Sequence, residues 1–494
     1  MALRPQQKEQ GNRTNAARPR YISAKTSKAR DNRGPRRADR EASPLARLIN
    51  SWWNRLLSAV YDGGLSEQEA VYESGSTSRD YLWNTIGTSV WGLVFPLLTI
   101  VCTQFVGTEQ AGMFSMAFVA GTLLMILANF GVRTFQVSDI DERVSFSSYQ
   151  LNRWITSGLA LLAGIIYCMQ RGYDAGMTTL SIGVYVYKII DGMADVYEGR
   201  LQQADKLYLA GMSQALRSGA VVVVFTLLLF VLRNLTVACV GAGITAVASL
   251  VFFTFPLSLL ETDKSGPWRM NEVGGLFRQC FPLFSTLFLF NVIESCPKFA
   301  MEGMMSYDAQ LYFSALYFPA QAILLAVGFV YKPQLLRLAN IWSNPRRRRR
   351  FDLIMLAVLA VVVAITLAML AFMGGVGIQL MGFMYGVDFE QYRVLAYLMV
   401  AAGGVTAAID FLYQIITVLR HQELATKPYL VAFAAAVASS AGLVFFVGLT
   451  GAVLAYLIVM LILLVLLAMQ YVRIRGIISQ ATGDPFATRP HAQQ

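Results

Sequence analysis

The feature that most constrains this chain is a series of apolar stretches, each long enough to cross a lipid bilayer, that begins at Tyr81. A transmembrane helix needs about 20 mainly apolar residues. Hydrophobic residues make up 55% of the 494 positions and charged residues only 14%, whereas soluble domains carry about 25% charged residues. The sequence therefore predicts an all-α polytopic membrane protein. Its twelve predicted spans are 81–105, 110–133, 151–170, 176–199, 209–232, 235–260, 277–301, 307–333, 352–373, 393–418, 428–447 and 451–472.

The arrangement of the spans predicts two six-helix lobes around a central cavity. Pro96 in the first span and Pro282 in the seventh lie 186 positions apart, close to half of the membrane region. Such spacing is typical of an internal repeat, and an even number of spans gives both copies the same orientation. We therefore predict an N-terminal transmembrane lobe at 81–260, a cytoplasmic inter-lobe loop at 261–276 and a C-terminal transmembrane lobe at 277–475.

The segments outside the spans are polar, and the first of them is strongly basic. Residues 1–50 hold 13 Lys and Arg against 4 Asp and Glu, a net charge of +9 out of +11 for the chain. Residues 45–61 place two tryptophans on an apolar helical face, which favours attachment to anionic membrane lipids, with a partner-binding helix as the alternative. The predictions are a disordered basic cytoplasmic tail (1–44), an amphipathic interfacial helix (45–61), a linker (62–80) and a disordered cytoplasmic tail (476–494).

The distribution of basic residues predicts the orientation of the spans. The predicted external loops carry only Arg171, Arg233 and Arg393. Because cytoplasmic loops are enriched in Lys and Arg, this bias predicts a multi-pass protein of the cytoplasmic cell membrane with both termini in the cytoplasm. We interpret the run Arg346–Arg350 as a topology anchor rather than a nucleic-acid contact. Basic residues of the internal loops and adjoining span ends include Arg133, Arg143, Arg153, Arg200, Lys206, Arg217, Lys264, Arg269, Arg278, Lys332, Arg337, Arg420, Lys427, Arg473 and Arg475.

Four charged residues lie on one face of the fourth span. Lys188, Asp191, Asp195 and Glu198 follow each other at spacings of three, four and three, which places them on one stripe of a helix. A charge near the bilayer centre costs about 2.5–3.5 kcal/mol on insertion scales, so the stripe must face protein or water. We predict that Lys188 and Asp191 face the substrate, and that Asp195 and Glu198 form an inner gate with Arg133 or Arg153. The alternative for Lys188 is pairing within its own stripe.

Three further charges lie inside predicted spans. Glu294 and Lys298 occupy the seventh span and Asp410 the tenth. Pro297 removes a backbone donor and predicts a kink or break beside the pair, an arrangement that recurs in transporter sites. We predict substrate-binding roles for Glu294 and Lys298. The alternative is that they neutralise each other as an i,i+4 pair. Asp410 is a candidate for gating or ion coupling, or an interfacial carboxylate.

The sequence contains few motifs or residues for ATP hydrolysis, metal binding or catalysis. There is no GxxxxGK[ST] phosphate loop, no HExxH and no CxxC, and the chain has two histidines, His421 and His491. The five cysteines all fall in apolar runs, where they behave as small core residues. An ATP-driven pump or a metalloenzyme is therefore disfavoured, and we predict no cofactor, no metal site and no catalytic residue.

Residues 84–119, 129–156 and 188–217 resemble the corresponding parts of the Wzx-like polysaccharide-unit flippases. These belong to the multidrug/oligosaccharidyl-lipid/polysaccharide exporter superfamily. The resemblance extends over about residues 80–475 and implies a two-lobed bundle that moves undecaprenyl-diphosphate-linked oligosaccharides across the cytoplasmic membrane for cell-surface polysaccharide biosynthesis. It also implies a cationic cavity for the diphosphate, and the matching cations are Lys188, Lys298 and Arg133. This chain departs from that pattern because its intramembrane carboxylates outnumber its lysines.

The predicted function is therefore transport by alternating access and not enzymatic catalysis. The resemblance implies a lipid-linked oligosaccharide as substrate, with a polysaccharide polymerase and glycosyltransferases as partners. Two alternatives remain. An ion-coupled multidrug exporter of the same superfamily would use the carboxylates without needing the lysines. A membrane glycosyl ligase or polymerase would need a sizeable external loop, and the longest one predicted, 374–392, contains neither histidine nor a basic residue.

Overall fold

The computed structural model describes residues 65–139, 141–331, 348–419 and 426–481, together with three single residues between 331 and 348. The predicted basic tail and the predicted amphipathic helix lie outside these ranges. The chain divides into two compact units, Met1–Ser74 and Gly75–Gln494. The described part of the first unit is only the start of a helix, and the packing and the candidate site described below lie in the second unit.

The described residues are almost entirely helical and contain no β-strand, as an all-α membrane protein requires. The helix Leu235–Ser249 continues through a π-helical turn into Phe255–Glu261, the helix Arg348–Phe372 continues through another into Ile378–Tyr385, and a 3₁₀ turn precedes the helix Arg393–Val418. The helices are α1 (Leu65–Val106), α2 (Thr108–Asn129), α3 (Val132–Ser138), α4 (Phe146–Arg171), α5 (Ala175–Gln203), α6 (Leu207–Leu232), α7 (Leu235–Ser249), α8 (Phe255–Glu261), α9 (Met270–Met301), α10 (Tyr307–Tyr331), α11 (Arg348–Phe372), α12 (Ile378–Tyr385), α13 (Arg393–Val418) and α14 (Thr426–Ala481).

The helices account for twelve crossings of a bilayer. Among the described residues, 10 helical stretches are long and apolar enough to span a membrane. One of them, Thr426–Gly476, has 51 residues, about twice the length that a bilayer needs, and it kinks at Gly448 with φ 63° and ψ −134°. It therefore supplies two spans. Helix α5, with 29 residues, is the twelfth span. It is long enough to cross a bilayer, although its charged stripe lowers its hydropathy.

The spans pack as two bundles. In the N-terminal bundle α5 is the central helix and contacts α2, α4 and α7, whereas in the C-terminal bundle α13 contacts α10, α11 and α14, and α9 lies along α14. The bundles meet where α2 packs on α9 and α10 and where α4 packs on α9. This arrangement confirms the predicted fold class.

The structure differs from three of the predicted boundaries. The predicted linker 62–80 is helical from Leu65 onward, because its Glu, Gln and Ala residues favour helix. The predicted inter-lobe loop 261–276 is shorter, since α9 already begins at Met270. The predicted tail 476–494 continues α14 as far as Ala481, and its remainder lies outside the described residues.

A larger difference concerns the predicted external loop 374–392. The helix of the ninth span passes through a π turn at Met373–Gly377 and continues to Tyr385. The glycines of this turn are poor helix formers and suggested a loop, but the residues after them are apolar enough to continue the span. The connection to the next span is therefore only a few residues long.

Candidate functional site

A cavity of about 500 Å³ lies between the two bundles. Helices α1, α2 and α5 line it from the N-terminal bundle, and α9, α10 and α13 line it from the C-terminal bundle. Four of its lining residues are charged: Lys188, Glu294, Lys298 and Asp410. The rest of the wall is mainly aromatic and aliphatic, with a few hydroxyl and amide groups. Such a lining suits an amphiphilic ligand, because ligand pockets combine apolar walls with a few placed polar groups.

Lys188 reaches the cavity wall between aromatic rings. Its Nζ lies 4.7 Å from the ring centroid of Phe118, 4.9 Å from Trp91 and 5.3 Å from Tyr187. The side chain is only 3% exposed, and its Nζ is 3.5 Å from Oδ2 of Asp191. The stripe on α5 therefore faces protein, and Lys188 pairs within its own stripe while it also lines the cavity.

Asp191 does not line the cavity itself but contacts Lys188 and Trp91, which do. Its Oδ2 accepts a hydrogen bond of 2.8 Å from Nε1 of Trp91, and its Oδ1 accepts one of 2.8 Å from Nε of Arg217. A second nitrogen of the same arginine, Nη1, donates to Oε1 of Glu198 at 2.7 Å. Arg217 on α6 therefore bridges two carboxylates that lie two turns apart on α5.

The ion pairs continue along α5 toward the end of the bundle at which α2 ends. Arg133 lies 4.0 Å from Glu198 and 2.7 Å from Asp195. Asp195 in turn lies 3.1 Å from Arg153, which also donates to the backbone oxygen of Ala128 at 2.8 Å. We call this connected set the charge ladder. In order, its members are Lys188, Asp191, Arg217, Glu198, Arg133, Asp195 and Arg153.

The charge ladder carries one more positive than negative charge, since it contains four cations and three carboxylates. A surplus charge in a low-dielectric interior is costly unless a partner compensates it. Lys188, the terminal member, is the one that lines the cavity. Lys188 is therefore the member of the charge ladder that an anionic group in the cavity would meet.

The C-terminal bundle contributes carboxylates that are held by tyrosines. Glu294 accepts hydrogen bonds from the hydroxyls of Tyr317 at 3.0 Å and Tyr456 at 3.3 Å. Asp410 accepts one from the hydroxyl of Tyr331. Both carboxylates line the same cavity as Lys188, so the structure brings charges of both signs to one space.

Lys298 has an aromatic rather than an acidic environment. Its Nζ lies 5.2 Å from the ring of Tyr317, 5.6 Å from Phe313 and 5.7 Å from Phe95. Within the described parts of the chain, no carboxylate oxygen lies within 4.0 Å of this nitrogen, the limit for an ion pair. The alternative prediction, that Glu294 and Lys298 pair with each other, is therefore not confirmed.

Pro297 does not interrupt α9, which continues to Met301. A helix can lose one backbone hydrogen bond near its last turn without ending there.

The eight predicted site residues fall into two connected groups. Five belong to the charge ladder, and three (Glu294, Lys298 and Asp410) line the cavity from the C-terminal bundle. Arg153, predicted as an alternative gate partner, pairs with Asp195 at 3.1 Å. Sequence reasoning missed Arg217, which was counted only as a positive charge near the internal end of a span, although its side chain is 2% exposed. Arg217 is the eleventh residue of α6, about 15 Å into the helix. This depth inside a predicted span was the sequence signal that could have identified it as a buried charge.

A second cluster, which we call the end latch, joins the bundles where α4 and α9 end. Glu302 accepts a hydrogen bond of 2.9 Å from Nε of Arg171 and further ones from the hydroxyls of Tyr167 and Tyr173. Burial and the Glu302 carboxylate raise the pKa of Tyr173, so its hydroxyl remains a donor. At the other end of the same two helices, Glu272 accepts a hydrogen bond of 2.7 Å from Oγ of Ser148.

Replacing Glu302 with glutamine is expected to loosen the end latch, because the amide cannot pair with the charge of Arg171. A charged hydrogen bond contributes about 1.5–3 kcal/mol, so opening at this end should increase by about tenfold or more. Cys168 is a native reporter, since it is 2% exposed and packs in a cluster that includes Phe299 of α9. Its rate of labelling by a thiol reagent should rise, whereas Cys239, buried within the N-terminal bundle, should label unchanged. Equal Cys168 rates in both proteins would contradict a latch.

Comparison with known proteins identifies the fold. No protein-family model matches the chain, and no curated protein sequence matches it significantly. Among solved structures, it is similar to an inward-facing multidrug resistance MATE family transporter of the MOP superfamily, with TM-score 0.61 and 13% identity over 81% of this chain and 99% of the other. The outward-facing form of such a transporter gives TM-score 0.56 and 14% identity over 82% and 96%.

A third similar structure is a MOP superfamily transporter from Pyrococcus furiosus whose binding pocket is described as having reverse polarity, suggesting a different function. It gives TM-score 0.56 and 13% identity over 81% of this chain and 95% of the other. At these identities the likeness establishes the fold, twelve membrane helices in two lobes. The matched structures are transporters and not enzymes.

Proposed function

We propose that this chain is a secondary transporter that moves an amphiphilic solute through the central cavity by alternating access. The observation that carries the proposal is the cavity itself, which lies between two bundles and receives charged side chains from both, Lys188 from one and Glu294, Lys298 and Asp410 from the other. Rocking of one bundle against the other would expose these groups to each side of the membrane in turn. In the conformation described here, the end latch joins the two bundles at the end that the basic residues predict to be external.

An ion-coupled multidrug exporter is the candidate that the comparisons favour. The similar solved structures include multidrug resistance transporters. In this chain Glu294 and Asp410 line the cavity and are held by tyrosine hydroxyls. Buried carboxylates without a close cation can take up a proton or a sodium ion, and they also suit a cationic drug.

A flippase for lipid-linked oligosaccharides is the second candidate, and a specific observation favours it. Lys298 has no carboxylate within ion-pair distance among the described residues, and the charge ladder, whose cavity-lining member is Lys188, has one more positive than negative charge. Both cations therefore can bind an anionic head group. This candidate keeps the predicted partners, namely a polysaccharide polymerase and glycosyltransferases, and the predicted location in the cytoplasmic membrane.

Transport by the purified protein in proteoliposomes separates the candidates. A flippase would move a labelled prenyl-diphosphate-linked sugar between leaflets, and Lys298→Ala would abolish this while Glu294→Gln would not. An exporter would move a cationic dye, and Glu294→Gln would abolish that while Lys298→Ala would not. In cells, normal surface polysaccharide in both Lys188→Ala and Lys298→Ala would rule out the diphosphate site. Transport of neither probe would contradict the proposal as a whole.

A further inference from the structure

Arg217 is buried behind the cavity wall and holds two carboxylates. Its side chain is 2% exposed. It donates from Nε to Asp191 at 2.8 Å and from Nη1 to Glu198 at 2.7 Å. Both carboxylates are on α5, whereas Arg217 is on α6. A planar guanidinium can hold two acceptors at once in a fixed geometry, which a lysine ammonium does less well.

The contacts of Asp191 connect Arg217 to the cavity wall. Its Oδ1 is held by Arg217, and its Oδ2 accepts from Trp91 at 2.8 Å and lies 3.5 Å from Nζ of Lys188. Trp91 and Lys188 both line the cavity, and Arg217 does not. Because the arginine contact is 0.7 Å shorter than the lysine contact, Arg217 is the main counter-ion of Asp191.

We propose that Arg217 is a positioning residue that leaves the charge of Lys188 available to an anionic group of the substrate, by serving as the main counter-ion of Asp191 and Glu198. The inference rests on the proposed transport function and chooses the anionic-head substrate class for it. Without Arg217, Lys188 would be the nearest cation to Asp191 and would be drawn into a close pair with it. Lys188 would then neutralise Asp191 and no longer attract a ligand.

The net charge of the charge ladder predicts how binding should change in each variant. The intact ladder has a net charge of +1. Loss of Arg217 alone reduces it to zero, and loss of both Arg217 and Asp191 returns it to +1. An arginine whose role is only to hold α5 and α6 together is distinguished by Asp191→Asn alone, which removes one of its partners and would then weaken binding, whereas the positioning role predicts binding at least as tight as in the wild type.

The test measures binding of farnesyl diphosphate, a short prenyl diphosphate, to the purified full-length protein in nanodiscs by titration calorimetry. Arg217→Gln is expected to weaken binding by about tenfold or more, the effect of about 1.4 kcal/mol. The double variant Arg217→Gln with Asp191→Asn is expected to recover binding to within about threefold. Arg475→Gln is the control, because Arg475 pairs with Asp352 at 3.0 Å but does not line the cavity. It should bind like the wild type.

The outcomes separate this inference from the proposed function. If Arg217→Gln binds normally, or if the double variant binds no better than the single one, the positioning role is wrong. If Arg217→Gln fails to fold, Asp191→Asn alone decides: a net charge of +2 predicts binding at least as tight as the wild type, and weaker binding overturns the proposal. If the wild type does not bind farnesyl diphosphate but transports a cationic dye, the positioning role of Arg217 is wrong, whereas the proposed transport function is supported.

Discussion

Replacing Asp195 with asparagine is expected to lower the free energy of unfolding by about 3–5 kcal/mol, the cost of removing one partner of a buried ion pair. Asp195 is the shared acceptor of Arg133 at 2.7 Å and Arg153 at 3.1 Å. Arg153 is 1% exposed, so its guanidinium cannot recover hydration when the carboxylate is lost. The charge ladder would also gain a second surplus positive charge, which raises the cost further.

Equilibrium unfolding of the purified protein in mixed micelles measures this loss. Asp352→Asn is the matched control, since Asp352 pairs with Arg475 at 3.0 Å but the two side chains are 35% and 22% exposed. Partly exposed pairs contribute about 1 kcal/mol or less, so this variant should unfold nearly as the wild type does. Equal stability of the two variants would mean that the charge ladder is not a buried structural network.

Replacing Gly112 with alanine is expected to disfavour the conformation described here. An added Cβ would lie 1.8 Å from the backbone oxygen of Tyr307, so α2 and α10 would have to separate at this end. Overpacking of this kind costs about 1–3 kcal/mol, which corresponds to about a tenfold to hundredfold change in the ratio of the two end states. Because the clash is between bundles, rocking can relieve it, and the protein should still fold.

Disulfide cross-linking across this contact measures the shift. The hydroxyls of Ser115 and Ser314 lie 2.6 Å apart, so a Ser115→Cys, Ser314→Cys pair should cross-link readily, and adding Gly112→Ala should lower the rate by about tenfold. Gly87→Ala is the control, because its Cβ would lie 2.4 Å from the oxygen of Gly211 within one bundle. It should lower stability without changing the cross-linking of the folded protein. An unchanged rate in Gly112→Ala would argue against closure at this end.

The membrane helices could be predicted well because each depends on a local property of the chain. Apolar length alone located the spans, and the charged spacing on α5 showed that one face of that helix must avoid lipid. The continuation of the ninth span to Tyr385 could not be predicted in the same way. Three glycines in Met373–Gly377 weaken helix locally, and only the packing of the residues around them keeps this segment helical.

The candidate site was predicted only in part, for a physical reason. Helical periodicity relates residues three or four positions apart, so it placed Lys188 and Asp191 together. It could not show that Arg217, on another helix, holds Asp191 more closely than Lys188 does. Nor could it show that Glu294 and Lys298, which are also four positions apart, do not pair with each other. Glu294 instead accepts hydrogen bonds from tyrosine hydroxyls, and Lys298 contacts aromatic rings.

The sequence by itself determined that this is a helical membrane protein and that a charged stripe on one span must face its interior. Those conclusions follow from the cost of charge and of unpaired backbone in hydrocarbon, which acts on every helix separately. Only the tertiary structure decided which charges are neutralised and which remain available to a ligand. That choice depends on differences of less than 1 Å between atoms of different helices, here 2.8 Å from Asp191 to Arg217 against 3.5 Å to Lys188.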